Sequence, residues 1–321
     1  MSSDLDRLAA RIAAELARRD APKRGAPQGA APTVPTPAPA GWSRAADAAG
    51  PSVPSAKAPP GVSYVRDQAR IADFIDHTLL KPEATRSEVE KLCSEAATHR
   101  FAAVCVNPVW VPLCVERLRG SPVKVATVIG FPLGANLPEI KAAETARAIQ
   151  DGAQEIDMVA ALGQIKSGEW RKVADDIAAV VRAASGNLVK VIIESALLTP
   201  TEIIKASALA KEAGAQYVKT STGFHAAGGA TAEAVTLMRL AVGDALGVKA
   251  SGGVRDCAAA LRMIASGATR IGTSGGVSMA ECLGSGPLPL RELLTTGAAS
   301  HAGQCPSGRC GAAPGGSAQP Y

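Results

Sequence analysis

Aromatic residues are scarce, at 3% of 321 residues. No run of lysine and arginine is interleaved with them, so the stacking and charge surface of a nucleic-acid binder is not expected. Charge of one sign is also scarce. The net charge is +5, and residues 1–60, with eight basic and five acidic residues, hold +3 of it. That excess suits an anionic small substrate better than a polyanion. The opening stretch MSSDLDRLAARIAAELARRD has no uninterrupted apolar run. It is therefore read neither as a signal peptide nor as a membrane span, and no membrane partner is expected. Asp4, Asp6 and Glu15 in that stretch argue against a mitochondrial presequence. Cysteines number seven, an odd count without a secretory signal, which points to reduced thiols in the cytoplasm. Cys305 and Cys310 have only His301 nearby, and the four histidines show no ligand spacing, so no metal site is expected.

What is present is enough apolar residue, 47%, for one large domain with additions. Four zones follow one another. Residues 1–20 read as an amphipathic helix over about 4–19. Leu5, Leu8, Ile12 and Leu16 share one face, Ser3 caps, and acids lead while Arg18 and Arg19 close. Such a helix has no domain of its own to pack on and is near the minimum length for stability in water. Residues 21–66 are rich in Pro, Ala and Gly without periodicity and read as a disordered linker. Residues 67–297 alternate short apolar runs with helical stretches of a dozen residues or so. Residues 298–321, rich in Gly, Ala and Ser, read as a flexible tail ending in Tyr321.

In the third zone eight strands are expected, at 74–78, 102–107, 124–131, 155–159, 189–194, 217–220, 248–251 and 270–273. Helical patterns follow at 85–99, 138–151, 170–184, 200–213, 231–245 and 255–267. This repetition predicts an α/β fold, a (β/α)8 TIM barrel, with a doubly wound open sheet as the alternative. Runs such as VKVII fit strands buried on both faces.

In a barrel of this kind chemistry gathers where strands end. Two lysines stand there in apolar strands, Lys219 after AQYV and Lys249 after LGV. One reading makes each a structural ion-pair partner, for instance of Glu194 or Asp157. The other places them side by side, so that one loses its proton and becomes a nucleophilic amine near neutral pH. Asp157 could shuttle protons, balance the lysine charge, or both. Gly/Ser/Thr-rich segments end the last three strands: STG, SGG and TSGG. Glycine-rich turns before helices can cradle phosphate, and the loops after the last two strands are a usual place for it. Arg255 adds charge there or simply starts a helix.

The motifs IDHTLLKPEAT, AAVCVNP, VATVIGFPLG, GAQEIDMV, VKVIIES, YVKTSTGF, VKASGGVR and RIGTSGG occur in this order. Through them the chain resembles the deoxyribose-phosphate aldolase family. The resemblance implies reversible cleavage of 2-deoxy-D-ribose 5-phosphate to D-glyceraldehyde 3-phosphate and acetaldehyde, with no metal and no cofactor. It implies that Lys219 forms the imine, Lys249 lowers its pKa, and Asp157 donates and accepts protons with a water. It assigns Gly223, Gly252, Gly253, Arg255 and Ser274 to the phosphate, and Asp76, Thr78, Cys105 and Thr222 to the substrate pocket. A homo-oligomer is also implied. Phe224 stands where some members carry lysine, and Gly275 where some carry serine. Some members end in a tyrosine that assists proton transfer, which gives Tyr321 that role here. The N-terminal segment resembles encapsulation peptides, so a microcompartment shell protein is an expected partner of residues 1–20. Three other readings remain: a Schiff-base aldolase for another phosphorylated sugar, an isomerase or synthase without an imine, and a non-catalytic scaffold or cargo protein.

Overall fold

A computed structural model describes residues 2–20, 68–284 and 286–294. The expected linker, the tail, Cys305, Cys310, His301 and Tyr321 lie outside them. Eight parallel strands close into a barrel in chain order: β1 (Ile75–Leu79), β2 (Ala103–Val106), β3 (Lys124–Ile129), β4 (Glu155–Val159), β5 (Leu188–Ile192), β6 (Tyr217–Lys219), β7 (Gly247–Ser251) and β8 (Arg270–Thr273). Strands β8 and β1 pair directly and so close the ring, Ile75 lying opposite Ile271. This is the expected TIM barrel, and no open-sheet edge remains among these strands.

The helices are α1 (Ser2–Asp20), α2 (Arg86–His99), α3 (Val111–Arg117), α4 (Pro138–Gln150), α5 (Leu162–Lys166), α6 (Trp170–Ala183), α7 (Pro200–Glu212), α8 (Ala232–Val242), α9 (Cys257–Ala265) and α10 (Gly276–Leu283). Their starts follow local chemistry. Thr85 and Thr199 accept from the backbone N–H groups of Glu88 and Glu202, whose carboxylates reach back to the cap N–H. Thr231 and Asp256 cap α8 and α9 in the same way from their side chains. Pro138 and Pro200 occupy first-turn positions, where a missing N–H costs nothing. A two-residue antiparallel ribbon, Gln68–Ala69 with Leu288–Pro289, ties the two ends of the barrel segment together.

Between the strands and this outer layer lies a continuous apolar shell, in which Val104, Ile156, Val189, Val191, Val218, Val248 and Ile271 are fully buried. These side chains point outward to the helices. The alternate residues point into the barrel, and there the composition changes from aliphatic to charged. Helix α1 differs from expectation in one respect: it packs against α7 and α8. Leu5, Ala9 and Ile12 are buried and join the main core. Burying Leu5 and Ile12 stabilises the docked helix by about 1.5–3 kcal/mol each. No helix among the described residues is long and apolar enough to cross a membrane.

Candidate active site

The barrel interior holds seven acidic and basic side chains in one cluster. Asp76 comes from β1, Glu155 and Asp157 from β4, Lys190 from β5, Lys219 from β6, Lys249 from β7 and Arg270 from β8. Strand register brings them together: Asp157 lies opposite Lys190, and Lys219 opposite Lys249. All seven are buried, Asp157 and Lys249 completely.

Asp157 is the hub. Its Oδ2 accepts from Lys219 Nζ at 2.8 Å and from Lys249 Nζ at 2.7 Å, and its Oδ1 accepts from Lys190 Nζ at 2.8 Å. Lys249 also donates to Asp76 Oδ2 at 2.5 Å. Lys190 reaches Glu155 at 2.6 Å and Asp76 at 3.3 Å. Arg270 closes the base of the cluster on Glu155 at 2.6 Å and Asp76 at 3.0 Å.

The charge balance decides what this cluster does. Four bases face three carboxylates. Burial makes an uncompensated charge costly, so one base is driven to give up its proton. Three of the four have reasons to keep it: the carboxylates beside Lys190, Lys249 and Arg270 hold those bases above their ordinary ranges despite burial. Lys219 alone is pushed down. Burial is the largest cause, Asp157 opposes it, and the Lys249 ammonium adds to it. The like-charge effect expected of Lys249 is thus present, but second to desolvation among the lowering causes. Desolvation would raise both Asp157 and Asp76, but Lys190 and Lys249, joined at Asp76 by Arg270, outweigh it and hold both well below the usual carboxylate range. An amine pushed toward its neutral form beside a carboxylate held ionised is a nucleophile with a proton acceptor at hand.

The remaining expected residues divide into those at the cluster and those above it. Cys105 Sγ lies 4.0 Å from Asp157 Oδ2, and burial raises its thiol pKa. Thr78 is buried on β1, its hydroxyl donating to the Asp76 carbonyl at 2.8 Å. Thr222 is held by Glu194, which accepts from its N–H at 3.2 Å and from its hydroxyl at 2.5 Å. Glu194 therefore pairs with the β6 loop, not with either lysine. Its backbone is left-handed, φ 50°, a conformation that costs energy in a non-glycine residue. Phe224 packs edge-to-face on Phe131, ring centroids 5.2 Å apart, over an apolar wall of Leu80, Ala103, Cys105, Ala126 and Val128.

Gly223, Gly252 and Gly253 form the loops after β6 and β7 with φ near +80°. One crossing there tolerates no side chain: a Cβ on Gly229 would fall 2.1 Å from the Gly252 carbonyl oxygen. The Ala230 N–H donates to that carbonyl at 2.9 Å, which pins one loop to the other. Ser251 Oγ donates to the Ser221 carbonyl at 2.6 Å and adds a second strap. Gly253, Arg255 and Ser274 are exposed at this rim. A cavity of about 180 Å³ lies outside the rim between the first turns of α7 and α8, and it holds none of the charged cluster.

Sequence reasoning missed Lys190, Glu155 and Arg270. VKVII reads as an apolar run, which hides Lys190, while Glu155 and Arg270 read as strand starts. The period-two rule was the available signal, because it puts Glu155 on the same face as Asp157.

Comparisons with known proteins place the barrel in a family. The profile of the DeoC/LacD family aldolase matches residues 70–283. Among curated relatives, the deoxyribose-phosphate aldolase of Geobacillus sp. is 60% identical over 212 residues, covering 66% of this chain and 95% of the relative. That of Streptococcus uberis is 57% identical over 210 residues, covering 65% and 95%. Among solved structures, the tetrameric deoxyribose phosphate aldolase of Aeropyrum pernix is 35% identical, with a TM-score of 0.61 over 66% of this chain and 89% of that one. The chain belongs to the DeoC/LacD family of aldolases.

Proposed function

We propose that the chain reversibly cleaves 2-deoxy-D-ribose 5-phosphate to D-glyceraldehyde 3-phosphate and acetaldehyde through a Schiff base on Lys219. The observation that carries this is the excess base in the barrel: Lys219 shares one carboxylate oxygen with Lys249, and it alone among the four bases is pushed toward the neutral form. Its amine adds to the C1 aldehyde of the open sugar, and loss of water gives the imine. Removing the proton from the C3 hydroxyl breaks the C2–C3 bond. The electron pair passes into the enamine and glyceraldehyde 3-phosphate leaves. A proton returned to C2, then water added to the imine, releases acetaldehyde and restores the amine. Asp157, within 2.8 Å of Lys219 Nζ, is the group placed to move these protons with a water, while burial first and Lys249 second push Lys219 toward the neutral form.

Gly223, Gly252, Gly253, Arg255 and Ser274 take the phosphate at the rim. Asp76, Thr78, Cys105 and Thr222 shape the pocket below it. Phe224 in place of a lysine favours a second reading, a Schiff-base aldolase for another phosphorylated sugar, and a panel of phosphorylated aldoses separates the two. A homo-oligomer in the cytoplasm is proposed from kinship with the tetrameric relative. The N-terminal helix is proposed to address the enzyme to a microcompartment shell; a reporter carrying residues 1–25 that stays diffuse in shell-making cells would refute this. Tyr321 is proposed to aid protonation of the enamine, and its deletion would slow exchange of the acetaldehyde methyl protons.

Borohydride reduction in the presence of acetaldehyde, with peptide mass mapping, tests the central reading. An adduct on the Lys219 peptide, absent from Lys219→Ala, is the expected result. No adduct on a folded protein would remove the imine and favour an isomerase or synthase on the same barrel.

A further inference from the structure

Helix α7 departs from its neighbours. An outer helix of a barrel buries one stripe and leaves the other side to water. Helix α6 does this, burying Val173, Asp176, Ile177 and Val180 at intervals of three and one. Helix α7 instead buries eight consecutive residues, Ile203–Ala210, which takes in every side of the helix. The barrel covers its inner side, and α1 covers the outer one.

The cover is specific at the level of side chains. Leu5, Ala9 and Ile12 of α1 are 3%, 4% and 7% exposed, and Leu8 packs partly buried beside them. Asp4, Arg7, Ala10, Arg11 and Ala14 face outward. Asp6 pairs with Lys205 in the middle of α7. Lys205 is itself only 9% exposed, its ammonium 5.3 Å from the centre of the Trp170 ring on α6. Asp6 brings the carboxylate that a lysine enclosed by this cover needs. The small side chains of Ala206, Ser207, Ala208 and Ala210 let a helix lie close.

We infer that the α7–α8 face is a receptor for this chain's own N-terminal helix, and that a docked α1 is masked from any other partner that would take its apolar stripe. The helix has one apolar stripe, and the barrel occupies it. A partner that takes Leu5, Ala9 and Ile12 must displace them from α7 and α8. The two bound states therefore exclude each other, and their ratio sets how much α1 is presented. Forty-seven residues separate Asp20 from Gln68, a contour of about 150 Å, so release needs no change in the barrel. The inference holds whichever partner lies outside, and it does not rest on the shell reading.

Hydrogen exchange on the full-length protein tests it, comparing wild type with a Leu5→Asp/Ile12→Asp double variant. Expected in wild type is protection of amides 5–12. Expected in the variant is loss of that protection, exchange in 203–210 at least about tenfold faster, and unchanged exchange at Tyr217–Lys219. Retained aldolase turnover certifies the fold of the variant. Asp6→Lys should weaken protection of 5–12 at least about two- to fivefold, because the pair is open to water only on its Asp6 side, and Lys205→Asp added to it should restore it. Amides 5–12 exchanging at the unfolded rate in wild type, or α7 exchange unmoved in the variant, would overturn the inference. So would protection that vanishes on dilution together with a fall in molecular mass, because the helix would then belong to a second copy.

Discussion

Two lysines, both buried, are treated very differently by this molecule. Lys141 on α4 is fully enclosed, and its ammonium donates to Asp176 Oδ2 at 2.8 Å and to the Val159 carbonyl at 2.9 Å. One cation meets one carboxylate, with a carbonyl to spare. Lys219 is buried to the same degree but reaches only one oxygen of Asp157, and Lys249 uses that oxygen too. Burial is therefore common to a structural lysine and a reactive one. The difference is stoichiometry: the outer pair is matched, whereas the barrel interior has one base too many. Desolvation then acts on the least compensated base.

The sharpest test of this contrast is a pair of substitutions. Lys219→Ala should lower turnover by about 10⁴-fold or more, since no other group supplies the imine, and leave the thermal midpoint near or above that of wild type. Lys141→Met should do the reverse. Stranding Asp176 in the core should cost about 3–5 kcal/mol of stability, while kcat per folded molecule stays unchanged. Lys141→Met with Asp176→Leu should recover most of that loss. Denaturant titration and steady-state rates on the same samples decide it. A large loss of kcat in folded Lys141→Met would erase the distinction.

Next in size is Lys249→Met. It removes a like charge from Lys219 and leaves Asp157 freer to hold the Lys219 proton, so both effects raise the Lys219 pKa. A base with a raised pKa is more protonated at any given pH, so the ascending acid limb of kcat/KM should move to higher pH. The loss at neutral pH should be about 10²-fold, shrinking as pH rises. An unmoved limb would mean that burial alone depresses Lys219.

The same contrast explains what could be read from the sequence. Lys219 and Lys249 are legible because each sits in a short apolar strand, and Asp157 because EIDMV puts an acid among hydrophobic residues. The eight strands were legible from the alternation of short runs with helical periods, and Glu155–Val159 and Arg270–Thr273 have the expected bounds. Lys190 was not legible, since one lysine in VKVII looks the same whether it faces six charges or a helix. The charge excess follows from barrel closure, which sets Arg270 of the last strand beside Asp76 of the first. The docking of α1 was hidden for a related reason. Its apolar face shows in a window of twenty residues, but its receptor lies about 200 positions away, Asp6 pairing with Lys205, in a stretch of alanines that any helix might carry.

The smallest expected effect concerns the rim. Phe224 rests on Phe131 over an apolar wall, where a lysine would bring a cation toward the β7 and β8 loops. Phe224→Lys should lower KM for the phosphorylated sugar about fivefold, the worth of one partly exposed charge-assisted contact. It should leave kcat and the acid limb close to unchanged, because position 224 takes no part in the Asp157–Lys219–Lys249 contacts and meets that cluster only through Cys105. For unphosphorylated deoxyribose KM should stay level or rise, as the edge-to-face contact is lost. Parallel KM measurements on the two sugars give the answer in one ratio. A ratio that moves toward the phosphate places the anion beside position 224. A ratio that stays put confines phosphate recognition to the glycine loops with Arg255 and Ser274, and leaves Phe224 as a packing residue that steadies the β6 loop above Lys219.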